Sequence, residues 1–335
     1  MQVAFLIGAG WFAARMLSGQ WSEVAAVSRN LRPDWIRVAW SALIVFASYA
    51  VLIATWRSTV AAWDERLPLR AAARIWFVSN LGRYIPGKVW QVGAMGVMAH
   101  DAGVSAVAAV GSALVISLVN VLVGFAVVAV TGGALLTSAI GADAGATAGG
   151  LVGGMPVMTI LLLALAVAGV VALPWVLPPL MRLAARLTGR ASLGTGRQLP
   201  ARAIWIAAAG CAVAWVLYGL AFRQLAVALL GTASGDAAAY VAVFTLSYLV
   251  GFLVLIAPGG LVAREVSMLS LLGAAGLASQ SEAAVLVVAS RLWLTVLEIV
   301  PGVLLLAWPG RQRGSPGAAN APEEASRHIT PSENR

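Results

Sequence analysis

The stretch Phe77-Val-Ser-Asn-Leu-Gly-Arg-Tyr-Ile-Pro-Gly-Lys-Val-Trp-Gln91 lies inside an otherwise apolar region of the chain. It contains Arg83, the helix-breaking pair Pro86-Gly87 and Lys88, the only lysine in the sequence. A charge at membrane depth needs a partner or water, and a broken helix leaves N–H and C=O groups that need other partners. A stretch that combines both features indicates a functional site.

A second segment, 247–265, follows the same plan. Each segment has a Ser-x-Leu triplet, a short apolar run, a Pro-Gly break and a basic residue after the break. In the second segment the break is Pro258-Gly259. The exits are Ala102-Gly103-Val104 and Ala275-Gly276-Leu277, and the distance from break to exit agrees to within one residue. We interpret this as an internal repeat, which in membrane transporters points to a binding site between two halves.

The composition is that of a membrane protein. Hydrophobic residues make up 61% of the chain, charged residues 10%, and the mean hydropathy is +0.90. The net charge of +9 comes from arginines beside apolar stretches, which positive-inside topology explains better than nucleic-acid binding does. We therefore expect contact with the membrane and none with nucleic acid.

Few residues suit catalysis or metal binding. The single cysteine, Cys211, lies in an apolar run and allows no intramolecular disulfide. The two histidines, His100 and His328, are too far apart in the sequence to indicate a metal cluster. We predict no catalytic residue, metal or cofactor.

Apolar runs of about 20 residues predict membrane-spanning helices. The predicted fold is an all-α polytopic membrane protein with six full spans and two Pro-Gly re-entrant hairpins related as an inverted repeat. The spans are 2–18, 36–56, 104–131, 153–178, 202–230 and 284–308, and the hairpins are 72–100 and 238–276. Residues 1–308 then form one transmembrane domain, and the polar tail 309–335 is expected to be disordered.

Loop charges orient the spans. The loop after Leu180 carries five arginines and no acid up to Arg202, so we expect it in the cytoplasm. If both hairpins return to their own side, both termini are cytoplasmic and the hairpins enter from opposite faces. The alternative is that 238–257 is a full span, which would move the C-terminus outside. Five tryptophans near span ends are expected to anchor the spans at the interfaces: Trp35, Trp56, Trp175, Trp205 and Trp308.

The candidate site residues lie at or near the two breaks. Glycines allow close backbone approach, a helix start offers N–H groups, and Arg or Lys adds positive charge, which together suit an anionic headgroup. The predicted substrate-binding residues are Arg83, Tyr84, Pro86, Gly87, Lys88, Gln91, Pro258, Gly259, Gly260, Arg264 and Glu265.

The last span carries two further charges, Arg291 and Glu298, which are two helical turns apart and share a face. They are too distant to bond to each other, so we expect Glu265 to pair with Arg291 and Arg264 to pair with Glu298. Structural ion pairs and gating pairs are both open interpretations.

Two motifs together resemble the flippase-like transmembrane domain of lysylphosphatidylglycerol synthases. The first is Gly82-Arg-Tyr-Ile-Pro-Gly-Lys-Val-Trp90 with Ala102-Gly-Val-Ser105, and the second is Ala257-Pro-Gly-Gly-Leu261 with Arg264-Glu265. The resemblance extends to about Trp308 and implies a bacterial inner-membrane protein that translocates or helps process lipid-linked molecules. We expect no counterpart here of the soluble aminoacyl-transferring domain of the full-length synthases, so the resemblance does not imply lysine transfer. It also has Val262 where the family often has glycine, and Val266 where a small residue is common.

Three hypotheses follow. The first is a lipid transporter or flippase-like protein that moves the anionic or lipid-linked headgroup of a phospholipid or polyprenyl-linked lipid. The second is an intramembrane transferase, which would need a general base or metal carboxylates. The third is an accessory subunit that partners a glycolipid- or lipid-modifying enzyme or a second copy of itself.

Overall fold

The computed structural model describes residues 32–82, 89–133, 151–152, 155–188, 199–253 and 262–307. This part of the chain contains nine helices and one pair of two-residue strands. The elements are α1 (Trp35–Ala61), α2 (Leu69–Leu81), α3 (Val89–Asp101), α4 (Ala106–Thr131), β1 (Leu151–Val152), β2 (Met155–Pro156), α5 (Val157–Thr188), α6 (Ala201–Leu230), α7 (Ala237–Leu253), α8 (Ala263–Ala274) and α9 (Gln280–Ala307). The strands pair antiparallel, with Leu151 opposite Pro156, and the described fold is otherwise helical, as predicted.

Within the described residues, five helices are long and apolar enough to cross a membrane: α1, α4, α5, α6 and α9. They coincide with five of the six predicted spans. The remaining predicted span, 2–18, and the predicted tail, 309–335, lie outside the described residues. The chain is thus a multi-pass membrane protein.

Several helix ends differ from the predicted spans, and α1, for example, continues to Ala61 rather than 56. Helix α4 begins at Ala106 rather than 104, because Gly103 has a φ of +85° and Ser105 caps the helix, its Oγ accepting from the Ala108 N–H at 3.2 Å. Helix α5 continues to Thr188, past the predicted end of the span at 178. Its prolines remove their own N–H bonds and crowd the carbonyls four residues earlier, and the helix continues on its remaining bonds.

Each Pro-Gly segment contains a pair of helices that contact each other, α2 with α3 and α7 with α8. The residues of the breaks themselves, 83–88 and 254–261, lie outside the described part. Helices α2 and α3 have 13 residues each and α8 has 12. At 1.5 Å per residue each rises about 20 Å, which is less than the roughly 30 Å hydrocarbon core.

The two segments also end alike. Gly103 and Gly276 both have positive φ, +85° and +64°, a backbone conformation that favours glycine. After each glycine, the next N–H bonds to a carbonyl five residues earlier, and a serine caps the following helix. These bonds run from Val104 N–H to Ala99 O and from Leu277 N–H to Leu272 O, both at 3.0 Å.

The helices pack reciprocally. The first helix of each Pro-Gly segment contacts the span that follows the other segment, so α2 lies against α9 and α7 lies against α4. The spans that precede the segments, α1 and α6, contact each other. Each Pro-Gly segment is therefore held in place by the other half of the chain.

Glycines allow close approach of α6 to its neighbours. A Cβ added at Gly210 would collide with the Thr55 side chain on α1, and a Cβ added at Gly219 would collide with the Val241 backbone on α7. In a membrane protein, small residues at such crossings bring the helix backbones together.

The exposed surface is apolar along the spans, as a lipid-facing surface requires. Trp35, Trp175 and Trp205 are more than half exposed, as interfacial anchors would be. Trp56 is not an anchor. It is fully buried, and its Nε1 donates to Ser112 Oγ at 2.9 Å, because α4 covers this end of α1. Trp308 lies outside the described residues.

Candidate functional site

A cavity of about 420 Å³ lies between the helices. Eight of the nine described helices contribute to its lining, and α5 does not. Both Pro-Gly segments reach it, the first through Gln91 on α3 and the second through Arg264 on α8. The volume lies in the range of about 300–1,000 Å³ that is typical of small-molecule sites.

Aromatic rings form one wall of the cavity. Tyr218 is stacked on Phe244 with ring centroids 5.8 Å apart, and Trp215 meets Tyr248 edge to face at 5.3 Å. Tyr49 on α1 extends the wall, with its ring 6.0 Å from that of Tyr218. Offset and edge-to-face pairs of this kind are favourable and hold one another in place.

Arg264 lies against this wall. Its guanidinium carbon is 5.4 Å from the centroid of Phe244 and 5.5 Å from that of Tyr248, so two aromatic rings face the cation. The residue is only 6% exposed, and its Nη2 has no hydrogen-bond partner among the described residues. Buried donors are nearly always paired, so this cation can accept an anionic group.

The predicted pair between Glu265 and Arg291 is present. Glu265 Oε1 lies 3.4 Å from Arg291 Nη1, and both side chains are less than a quarter exposed. The other carboxylate oxygen, Oε2, accepts from the Val262 N–H at 2.7 Å. Val262 has a φ of +75°, in the region that favours glycine. One carboxylate therefore holds both the first turn of α8 and the contact of α8 with α9.

The predicted pair between Arg264 and Glu298 is absent within the described part of the chain. Glu298 is 9% exposed, and its Oε1 accepts instead from Tyr49 Oη at 3.2 Å. The sequence did not predict this contact because α1 and α9 are far apart in the chain. Their approach depends on the packing of α2 against α9.

The first segment supplies neutral polar groups. Gln91 Nε2 donates to Asn80 Oδ1 at 2.6 Å, which joins α3 to α2 beside the cavity. Trp76, one turn before Asn80, also lines the cavity, and its Nε1 has no hydrogen-bond partner among the described residues. The described residues on this side of the site can thus form hydrogen bonds and carry no charge.

The structure brings four of the predicted residues to one cavity, namely Gln91, Arg264, Arg291 and Glu298, with Glu265 bonded to the third of them. The other predicted positions lie outside the described residues: Arg83, Tyr84, Pro86, Gly87, Lys88, Pro258, Gly259 and Gly260.

Sequence reasoning missed the polar and aromatic residues of the earlier helices. One signal was available in the repeat, because Asn80 and Tyr248 both occupy the middle of the Ser-x-Leu triplet. The structure places both in the cavity lining, where Asn80 contacts Gln91 and Tyr248 faces Arg264. Tyr49, Trp215 and Tyr218 carry no comparable local signal.

Within the described ranges, no three side chains of His, Cys, Asp or Glu lie close enough to hold a metal ion together. A comparison with curated proteins gives no match. A family model matches residues 1–302, which include both Pro-Gly segments and every cavity residue named above. The chain belongs to the family described as the lysylphosphatidylglycerol synthase TM region.

Proposed function

We propose that this protein binds the anionic headgroup of a phospholipid or polyprenyl-linked lipid in the cavity and moves it across the bilayer. The observation that carries the proposal is Arg264, a buried cation whose Nη2 has no hydrogen-bond partner among the described residues and which lines a cavity that both Pro-Gly segments reach. A buried cation within the membrane is costly and marks a site for a substrate or ion.

The proposal includes the topology. We place the two Pro-Gly segments as re-entrant hairpins that enter from opposite faces of a bacterial inner membrane, with both termini in the cytoplasm. The short helices on either side of the breaks, the matching exits at Gly103 and Gly276, and the reciprocal packing of α2 and α7 support this arrangement.

In this mechanism the headgroup occupies the cavity while the acyl or prenyl chains remain in lipid. The guanidinium of Arg264 contacts the anionic group, and Gln91 donates or accepts hydrogen bonds from the opposite hairpin. We include Arg83 and Lys88 as further contacts of the anionic group, because the sequence places both cations beside the first Pro-Gly break. The pair between Glu265 and Arg291 holds α8 against α9 and opens or closes with the hairpin.

The test measures lipid movement by purified protein in vesicles, using fluorescent phosphatidylglycerol and its quenching from outside. A charge-assisted hydrogen bond contributes about 1.5–3 kcal/mol, so Arg264→Met is expected to slow transport by roughly 10- to 100-fold. Arg264→Lys keeps the charge but loses the forked geometry and should give an intermediate rate.

The matched control is Arg37→Met. Arg37 is half exposed and pairs with Asp34 at the start of α1, away from the cavity lining. It should transport like the unaltered protein, and all variants should elute as folded protein in size-exclusion chromatography. Equal transport by folded Arg264→Met and by the control would refute the assignment of Arg264.

A further inference from the structure

The two Pro-Gly segments bring different groups to the cavity, although they follow one sequence plan. Gln91 and Arg264 each precede the exit glycine of their segment by twelve residues. Gln91 bonds to Asn80, whereas Arg264 lies over Tyr248, and these two partners share the middle of the Ser-x-Leu triplet. Equivalent positions in the described residues thus carry a neutral amide pair in the first segment and a cation on an aromatic ring in the second.

The unsatisfied buried groups in the described lining are donors. They are Arg264 Nη2, from the second segment, and Trp76 Nε1, from the first. Both are N–H groups, and buried N–H groups require acceptors. A ligand that satisfies both must carry an acceptor for each of them.

Two further neutral polar side chains line the cavity. The side chains of Asn120 on α4 and Thr295 on α9 line the cavity and form no hydrogen bond with another described residue. An amide and a hydroxyl both donate and accept, which matches a hydroxyl-bearing ligand. The cavity, at about 420 Å³, exceeds what a single phosphate needs.

We infer that the headgroup is a phosphate that carries a neutral, hexose-sized polyol. The phosphate binds at Arg264, and the polyol binds against the aromatic wall with its hydroxyls at Trp76, Gln91 and Asn120. This inference rests on the proposed function and names the substrate class of the same site. An ammonium-bearing headgroup fits less well, because it brings further donors to a lining whose unsatisfied buried groups are donors.

Soluble probes test the recognition directly. The purified full chain in detergent is titrated by calorimetry with glucose 1-phosphate, glycerol 3-phosphate, inorganic phosphate and phosphoethanolamine. Glucose 1-phosphate should bind about tenfold more tightly than inorganic phosphate, a difference of about 1.4 kcal/mol. Equal binding of the two, tighter binding of phosphoethanolamine, or no binding of glucose 1-phosphate at millimolar concentration would each overturn the inference.

Variants separate recognition of the phosphate from recognition of the polyol. Arg264→Met should abolish binding of glucose 1-phosphate and of inorganic phosphate. Trp76→Phe removes the indole N–H but keeps an aromatic ring, and Asn120→Leu keeps the shape of the side chain. Both should bring glucose 1-phosphate down to the affinity of inorganic phosphate, without changing the latter. A uniform loss for both ligands in these two variants would show that they affect only the folding of the site and would contradict the polyol assignment.

A vesicle assay distinguishes this inference from the function on which it rests. Fluorescent phosphatidylinositol carries a phosphate and a neutral hexose-sized polyol, whereas phosphatidylethanolamine carries an ammonium. Faster movement of phosphatidylinositol supports both proposals, and equal movement of the two overturns only the substrate class. Binding of glucose 1-phosphate without movement of any lipid overturns transport and leaves the recognition intact.

Discussion

The contact between α8 and α9 yields a quantitative prediction, because the two carboxylate oxygens of Glu265 make two separate contacts. Oε1 pairs with Arg291 at 3.4 Å, and Oε2 accepts from the Val262 N–H at 2.7 Å. Glu265→Gln removes the charge but keeps an oxygen for the Val262 N–H. Glu265→Ala removes both contacts. The two variants should therefore differ by the cost of one unsatisfied, partly buried N–H, about 1 kcal/mol.

The strength of the ion pair follows from its geometry. At 3.4 Å and an effective dielectric constant of about 20, the Coulomb attraction is roughly 5 kcal/mol. Desolvation of the two charges offsets part of this attraction. We expect a coupling free energy of about 1–3 kcal/mol between Glu265→Gln and Arg291→Met in a double-mutant cycle.

The assay is thermal unfolding of the detergent-solubilised protein, followed by tryptophan fluorescence for the single variants and the double variant. The control cycle uses the exposed pair of Arg37 and Asp34, which is 3.2 Å long but about half exposed. Exposed pairs contribute about 0–1 kcal/mol, so its coupling should be clearly smaller. Equal coupling in the two cycles, or additive effects of Glu265→Gln and Arg291→Met, would refute the reasoning.

Two further predictions concern the backbone. Val262→Gly should raise the midpoint of thermal unfolding. The φ of +75° destabilises a β-branched residue by about 1–2 kcal/mol, whereas the greater chain entropy of glycine in the unfolded state costs only about 0.5–1 kcal/mol. A lower midpoint would contradict the strain at Val262. Gly219→Ala should destabilise the protein by about 1–3 kcal/mol, because the added methyl group meets the Val241 backbone. Gly93→Ala, at an exposed helical glycine with open space around it, is the control and should be neutral or stabilising in the same assay.

The sequence predicted those parts of the site that depend on local chemistry. Arg264 and Gln91 were identified because cations, amides and Pro-Gly breaks are unusual in an apolar region, and the pairing of Glu265 with Arg291 followed from the scarcity of charges. The aromatic wall was not predicted, because Tyr49, Trp215 and Tyr218 come from helices far apart in the chain. Nothing in the local pattern of an apolar helix distinguishes an aromatic residue that faces a cavity from one that faces lipid.

Two differences from the prediction have separate origins. Trp56 was assigned to the membrane interface from its position near the end of a span, but α4 covers it, and coverage depends on tertiary packing. The span 153–178 was drawn from an apolar run, whereas helix α5 itself continues to Thr188 on its remaining hydrogen bonds. Helix existence was predictable from hydropathy, and most helix contacts were not.

The reciprocal packing of α2 on α9 and of α7 on α4 has a consequence for biosynthesis. When the ribosome has completed only the first half, α2 has emerged without the surface that it eventually covers, since α9 is the last described helix to be translated. Until α9 is made, the early helices therefore remain in the translocon or in lipid with the α9-binding surface of α2 uncovered. Quality-control proteases can recognise such a partly assembled chain. Ribosome-stalled chains that end before residue 280 should be far more sensitive to such proteases than chains that extend beyond residue 307.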